Sequence, residues 1–465
     1  MPASKITGMS VLGGLLTVIG ANAGVAFQHV WQTSRRHCFM KKLLSFGEPM
    51  HELALRLSEP SMAPNSTASR SVTDTHGRPP IFARSVLPIK EMAVVSVDAC
   101  LPAFAGRTLS CACLVFMAFL SMPTAWAMEK HFLYVSSPDG AQEEGHSGTG
   151  ILVFDIEAGH KFVRRIEVPM FKEGIRGFTA NAKKHCAYYS TTNAGLGCID
   201  LDTERILWEQ HLPLGCDRTC ITPDGTKLYV PTGWWYAGQD GGFMVVDPQN
   251  GHVVKRLQVG KMAHNAVASL DGQFAYLGTE TTLTMFRTGD DSIVRQIQPV
   301  GESGVFPFTV DSRNRFAFVC LGLHVGFDVV DLQTGAVPHR VFAGSGPIAH
   351  RTHGAALTPD ETELWISDQD GKRLFVFDAT QMPPKPKGEI PLSMVGHGWI
   401  SFSLDGRFAW THTPDVIDAH TKHVVATLAD EHGKPVASSK FIEVIFDGGK
   451  VTRVGCEFGV GRAVQ

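Results

Sequence analysis

The sequence predicts an all-β fold, a seven-bladed β-propeller of four-stranded antiparallel blades, on three observations. A run of aromatic, apolar and then small or hydroxyl residues recurs seven times between residues 132 and 413. Copies are followed by a strand ending in an Asp-rich turn, then by an outer strand, with alternating apolar residues and no helical period. The recurrence spans 41 to 47 residues, the length of one blade of four short strands.

Along the chain, the first 127 residues differ from the rest. "ITGMSVLGGLLTVIGANAGVAF" (6–27) is apolar enough to be a membrane-span candidate, whereas 50–106 shows no sustained period and holds Ser/Pro/Arg-rich patches. Residues 1–106 therefore read as a poorly structured extension, either an over-extended start or an anchor with its linker. Residues 107–127 have the form of an export signal: Arg107, an apolar core, a Pro, and the small-x-small triplet Ala125-Trp126-Ala127. Cleavage after Ala127 would make Met128 the first mature residue and place the protein in the periplasm or outside the cell. The only membrane contact expected is through an uncleaved N-terminal segment.

The propeller occupies 128–465. Its second strands are "FLYVSS" (132–137), "CAYYSTT" (186–192), "KLYVPTG" (227–233), "FAYLGTE" (274–280), "FAFVCLG" (316–322), "ELWISDQ" (363–369) and "FAWTHT" (408–413). Third strands follow in segments such as "GILVFDIEAG" and "FMVVDPQNG", and outer strands in "KFVRRIEVP" or "HVVKRLQVG". The innermost strand of a blade precedes a turn of the form "TPDG" (222–225), "SLDG" (269–272, 403–406) or "TPDE" (358–361). No such strand precedes "FLYVSS". The C-terminal "SKFIEVIFDGG" (439–449) has the right form to supply it and close the ring from both ends of the chain, which leaves no open edge.

The aromatic-Val strand followed by the VFD/VVD strand resembles the YVTN-type (YncE-like) β-propeller repeat over about residues 130–455. The succession "HGAALTPDETELWISD", "FVFDATQMPP", "GWISFSLDGRFAW", "DVIDAHTKHVVATL", "SSKFIEVIFDGGK" is similar to exported bacterial members of that family. The resemblance implies a platform that binds ligands or partners, and related propellers include metal-dependent enzymes.

Alignment of the blades defines a slot seven residues before the turn Asp. It holds Arg176, Asp217, His264, Phe306, His353, Gly398 with His397 one step earlier, and Lys440. The slot lies where the chain enters each innermost strand, so these residues are expected to converge on the rim of the central channel. His264, His353 and His397 are a set suited to one transition metal, Zn, Cu, Ni or Fe, with an open coordination position. The other reading is rim histidines in a water-filled channel. Arg176 and Lys440 are candidates for holding an anionic group at the same mouth, and Asp217, opposite or adjacent to the histidines, adds a carboxylate to their set and is a further ligand-binding candidate. His350, His324 and His412 lie in segments that open on the same top face and are candidate additional ligands. The loop "PTGWWYAGQDGG" (231–242) brings Trp234, Trp235 and Tyr236 there as a stacking wall, or else packs across the adjacent blade. His160, His252, His339, His420 and His423 fall in turns on the opposite face and read as solvated residues.

Composition narrows the functions. With a net charge of −3 and a pI of about 6.7, the chain has no broad basic surface for nucleic acid. No Gly-x-Ser-x-Gly elbow, phosphate-binding Gly-Lys-Ser/Thr loop, His-Glu-x-x-His helix or Cys-x-x-Cys-His haem motif follows Ala127. Pairing among Cys186, Cys198, Cys216, Cys220, Cys320 and Cys456 is open, with Cys186–Cys198 and Cys216–Cys220 the spacings that an oxidising compartment could close, and buried free thiols the alternative. Three functions stand at this point. The first is a monomeric platform that binds a small molecule, glycan or protein through its top face. The second is a metal-dependent hydrolase, lyase or oxidase, and the third a periplasmic metal-handling protein.

Overall fold

The computed structural model describes residues 129–136, 147–168, 174–191, 194–234, 241–302, 307–396, 398–437 and 440–455. The apolar segment 6–27, the export-signal segment and the extension before it lie outside the described residues. Among the described residues no helix is long and apolar enough to cross a membrane.

Seven antiparallel sheets follow one another along the chain, each a blade. Six have four strands in sequential order, as the repeat predicts. The first is assembled from both ends of the chain: Lys130–Ser136, Ile151–Asp155 and Lys161–Ile166 are joined by Lys440–Asp447, which pairs with Lys130–Ser136 along its whole length from Lys130↔Phe446 to Ser136↔Lys440. The ring is therefore closed as the sequence predicts. One feature exceeds expectation. Lys450–Val454 turns back through Gly448 and Gly449, both at positive φ, and adds a fifth strand on the channel side of that sheet.

Each blade is sandwiched between two others, so both faces of its strands must be apolar. Along Lys130–Ser136, Leu133 and Val135 pack with Trp410 and Val416 of the seventh blade, while Tyr134 packs with Phe178 and Tyr189 of the second. The same division recurs around the ring. Ala356 and Trp365 of the sixth blade, for example, meet Ile400, Phe402 and Ile417 of the seventh. The fourth strands face solvent, and there the apolar side chains such as Val254, Leu207 and Val425 are exposed.

Polar contacts staple the closure. Glu443, buried in the closing strand, accepts the backbone N–H of Leu404 at 2.6 Å and meets His131 Nδ1 at 2.7 Å, so it links the first blade's two chain ends to the seventh blade. Burial raises the Glu443 carboxyl above its ordinary range, with the Leu404 N–H and His131 opposing it.

His160 corrects the expectation of a solvated turn residue. It is buried, and Trp410 of the seventh blade covers it, donating its indole N–H to Nε2 at 3.0 Å. The other four opposite-face histidines are exposed as expected. Burial, assisted by the charge of Arg407, lowers His160 to about 4. An imidazole that titrates lower in the folded than in the unfolded chain contributes stability that is full above its unfolded value near 6.5 and is lost as the pH falls toward 4. Between pH 7 and pH 4.5 the native chain is therefore expected to lose roughly 2 kcal/mol more unfolding free energy than a His160→Gln variant, measured by urea titration. Parallel losses in the two proteins would refute this.

The described cysteines Cys186, Cys198, Cys216, Cys220 and Cys320 are buried and free. Strand register explains the first pair. Cys186 lies opposite Asp200 and Cys198 opposite Tyr188, so the two thiols are diagonal neighbours. Cys216 donates to the carbonyl of Gly195 at 3.0 Å. Cys456 lies outside the described residues.

Candidate functional site at the channel mouth

Innermost strands begin on the top face, and the slot residues sit at or just before those beginnings: Arg176 in Ile175–Asn181, Asp217 ahead of Cys220–Ile221, His264 ahead of Asn265–Ala268, His353 in Thr352–Leu357 and Lys440 first in Lys440–Asp447. Their backbones are fixed by neighbouring blades. Ala266 N–H donates to the Arg218 carbonyl at 3.2 Å, and Ser190 Oγ accepts from Gly177 N–H and donates to the Asp217 carbonyl at 2.6 Å. Glycine is required beside the slot. A Cβ on Gly354 would lie 2.2 Å from the Gly398 carbonyl oxygen, and one on Gly177 would lie 2.7 Å from that of Asp217. Adjacent inner strands thus approach more closely than any side chain allows.

From this rim the side chains converge. Asp217 Oδ2 meets His264 Nδ1 at 2.8 Å and also accepts the backbone N–H of Trp234, while its Oδ1 meets Arg218 Nη1 at 2.8 Å and Arg176 Nε at 3.3 Å. The His264 and His353 rings lie 5.9 Å apart between centroids, and His353 meets Trp399 edge-on at 5.2 Å. Trp399 carries two cations, the Arg218 guanidinium 4.0 Å and the Lys440 ammonium 4.9 Å from its ring centre. Trp234 lies beside these rings. Its ring stands 5.6 Å from His264, and it also packs against the apolar cluster of the fifth and sixth blades.

Electrostatics assign the protons. Burial alone would raise the Asp217 carboxyl, but His264, Arg176 and Arg218 more than reverse this and hold it far below the usual carboxylate range. Burial lowers His264 to about 4, although the Asp217 charge opposes this. Asp217 is therefore ionised and His264 neutral at pH 7. In that state Nδ1 must carry the hydrogen it donates to the carboxylate, and Nε2 carries a lone pair.

A cavity of about 130 Å³ opens among Arg176, Arg218, Trp234, His264, Arg351, His353 and Gln369. The slot accounts for three of these and the aromatic loop for Trp234. Arg218, Arg351, Gln369 and, behind the wall, Trp399 escaped the sequence reading. The available signal was adjacency: Arg218 follows Asp217, and Arg351 lies within "AHRTHG".

The remaining candidates fall elsewhere. His324 Nδ1 meets Glu302 at 2.8 Å and His350 Nδ1 meets Asp368 at 2.9 Å, each held by a carboxylate off the cavity wall. His412 is buried beside Gly398, likewise outside the lining. His397, Phe306, Trp235 and Tyr236 lie outside the described residues. Among the described residues, no three His, Cys, Asp or Glu side chains are arranged to hold a metal ion. The guanidiniums around His264 and His353 also oppose a further cation there.

No protein-family model matches the chain, and no curated protein is similar enough to count as a relative. Among solved structures, a hydrazine synthase of Kuenenia stuttgartiensis is similar at 17% identity and a TM-score of 0.44, covering 55% of this chain and 80% of that one. The β-propeller domain of Cps50 (Swd1) from Myceliophteria thermophila is similar at 12% identity and a TM-score of 0.46, covering 60% of this chain and 94% of that one.

Proposed function

We propose that this protein is a ligand-binding β-propeller that holds a small anion at the top mouth of its channel. The observation that carries this reading is the cavity lining, which among the described residues includes three arginines, Arg176, Arg218 and Arg351, and no carboxylate. Asp217 pairs with Arg176 and Arg218, and Asp370 lies 3.7 Å from Arg351. A guanidinium only donates hydrogen bonds and is always charged, so three around one small space favour a carboxylate or phosphate group. We also read the chain as an exported member of the YVTN-type group. N-terminal sequencing of the natural protein tests that, with Met128 as the expected first residue.

Trp234 on the wall makes the anion reading measurable by fluorescence. Titration with propionate or inorganic phosphate is expected to give a saturable change, and Arg351→Ala is expected to weaken it about tenfold, the loss of one charge-assisted contact. Arg351 is half exposed, so its removal leaves the packing intact. A response that does not saturate with either anion would refute the reading.

A second reading is favoured by one contact. A carboxylate on Nδ1, as Asp217 is on His264, is the arrangement that orients a metal-binding imidazole. His264, His353 and His397 would then hold one transition-metal ion, which would act as a Lewis acid. Elemental analysis of chelator-free protein beside a His264→Ala, His353→Ala, His397→Ala variant tests it. About one equivalent lost in the variant supports metal, and none in either protein excludes it.

A further inference from the structure

We propose that the ring has an unlatched joint between its fourth and fifth blades, and that neighbouring blades part most readily there. The proposal concerns the scaffold and is independent of what the channel mouth binds.

Four other joints share one latch. In each, a residue in the turn between the third and fourth strands reaches back to the aromatic residue of the preceding blade's second strand. Tyr134 of the first blade donates to Glu204 Oε1 of the second at 2.9 Å, and Arg164 Nε donates to Oε2 of the same carboxylate at 2.8 Å. Tyr229 of the third blade donates to Asp291 Oδ1 of the fourth at 2.7 Å, and Lys227 Nζ joins that oxygen at 2.9 Å. Lys422 of the seventh blade sets its ammonium 4.7 Å from the ring centre of Trp365 in the sixth, and His160 of the first accepts from Trp410 of the seventh. All four latching residues stand in the left-handed region, with φ of 61° at His160, 57° at Glu204, 56° at Asp291 and 64° at Lys422. That conformation disfavours a residue with a side chain, and the contact offsets its cost.

The fourth and fifth blades repeat the frame of the first joint without its carboxylate. Tyr276 faces Met285 and Met285 faces Arg295, as Tyr134 faces Val153 and Val153 faces Arg164. Glu204 N–H donates to the Asp200 carbonyl, and at the same place in the fifth blade Gly335 N–H donates to that of Asp331. Glycine has no side chain to send. Tyr276 is fully buried, and its hydroxyl and Arg295 Nε have no hydrogen-bond partner among the described residues. The two ends of the Arg295 guanidinium donate to the carbonyls of Thr334 and Gln333, at 3.0 and 2.8 Å, over the position that a Gly335 Cβ would take. The two remaining joints leave no such phenol. Tyr188 bonds with Cys186 and Cys198 beside a turn whose carbonyls at Pro248 and Asn250 accept from Trp208 and Gln210, and Phe318 has no polar group to satisfy. A buried donor without a partner regains one from water when blades part, so opening is favoured where Tyr276 lies.

Two measurements on the full chain test this. In hydrogen–deuterium exchange at pH 7, Phe274–Thr279 is expected to exchange about tenfold faster, relative to unfolded peptide rates, than the equivalent strands Lys130–Ser136 and Leu228–Pro231, tenfold being the worth of one hydrogen bond to a charged group. Gly335→Glu supplies the missing carboxylate and should abolish that difference, whereas Gly335→Ala, which carries the same backbone cost, should not. Urea unfolding supplies the second measurement, in which the two phenols have opposite signs. Tyr134→Phe should raise the unfolding constant about tenfold, and Tyr276→Phe should lower it about threefold, because it deletes a hydroxyl that pairs with nothing. Equal exchange in the three strands would overturn the proposal, as would a Gly335→Glu that exchanges like Gly335→Ala. A Tyr276→Phe that unfolds as readily as Tyr134→Phe would overturn it even if neither glycine variant folds.

Discussion

A chain truncated after Ala437 is expected to lose its cooperative unfolding transition. The segment removed contains the strand that closes the ring, Lys440–Asp447, in which Phe441, Ile442, Val444 and Ile445 are at most 1% exposed. Burial of each such side chain stabilises by about 1.5–3 kcal/mol, so the four together contribute roughly 6–12 kcal/mol. That matches the whole net stability of an ordinary protein, about 5–15 kcal/mol. Truncation also removes Glu443, the partner of His131, and exposes the edge of Lys130–Ser136. Circular dichroism melts check this. The truncated chain should show a broad, non-cooperative loss of signal, and a separate peptide spanning 438–465 should restore a sharp transition. A sharp melt within about 1 kcal/mol of the parent without the peptide would mean that closure does not hold the ring.

Replacement of Asp217 by Ala is expected to cost about 3–5 kcal/mol in urea unfolding, the range for removing one partner of a buried ionic cluster. The size follows from what remains: the Arg218 guanidinium, nearly inaccessible, with Arg176 beside it and a neutral His264 that has lost its acceptor. Asp217→Asn should cost less, since its side-chain oxygen can still accept. The carboxyl of Asp217 titrates far below its unfolded value near 3.8, so its contribution is fully present above that value and is lost only as the pH falls below it. The difference between native and variant should therefore be flat from pH 5 to pH 8. A cost under about 1 kcal/mol would show that the two guanidiniums do not need this counter-ion.

Much of the fold was legible because the blade repeat leaves a local mark. Aromatic and β-branched residues crowd the second strand, where both faces are buried, and Asp-rich turns end the third. The rim was legible for the same reason: a constant offset from the turn picked out Arg176, Asp217, His264 and His353, and the structure brings these onto one mouth. Offset does not report side-chain direction. Arg218 is one residue beyond the slot, yet the inner strand of its blade begins only at Cys220, so the chain is still irregular there and Arg218 reaches across to Trp399. His324 and His350 sit in the expected segments, but Glu302 and Asp368 hold them aside. His160 was misread because its burial depends on Trp410, 250 residues away, which no local pattern reports. The spacing of Cys186 and Cys198 does not report register: the ladder sets Cys186 opposite Asp200 and Cys198 opposite Tyr188.

On the proposal above, the mouth of this channel is an anion site. X-ray diffraction from crystals soaked in bromoacetate, recorded at the bromine edge and again at transition-metal edges, tests it most directly. The account predicts a bromine peak inside the cavity, with its carboxylate against Arg176, Arg218 or Arg351. A transition-metal peak on His264 and His353 with no bromine in the cavity would contradict it.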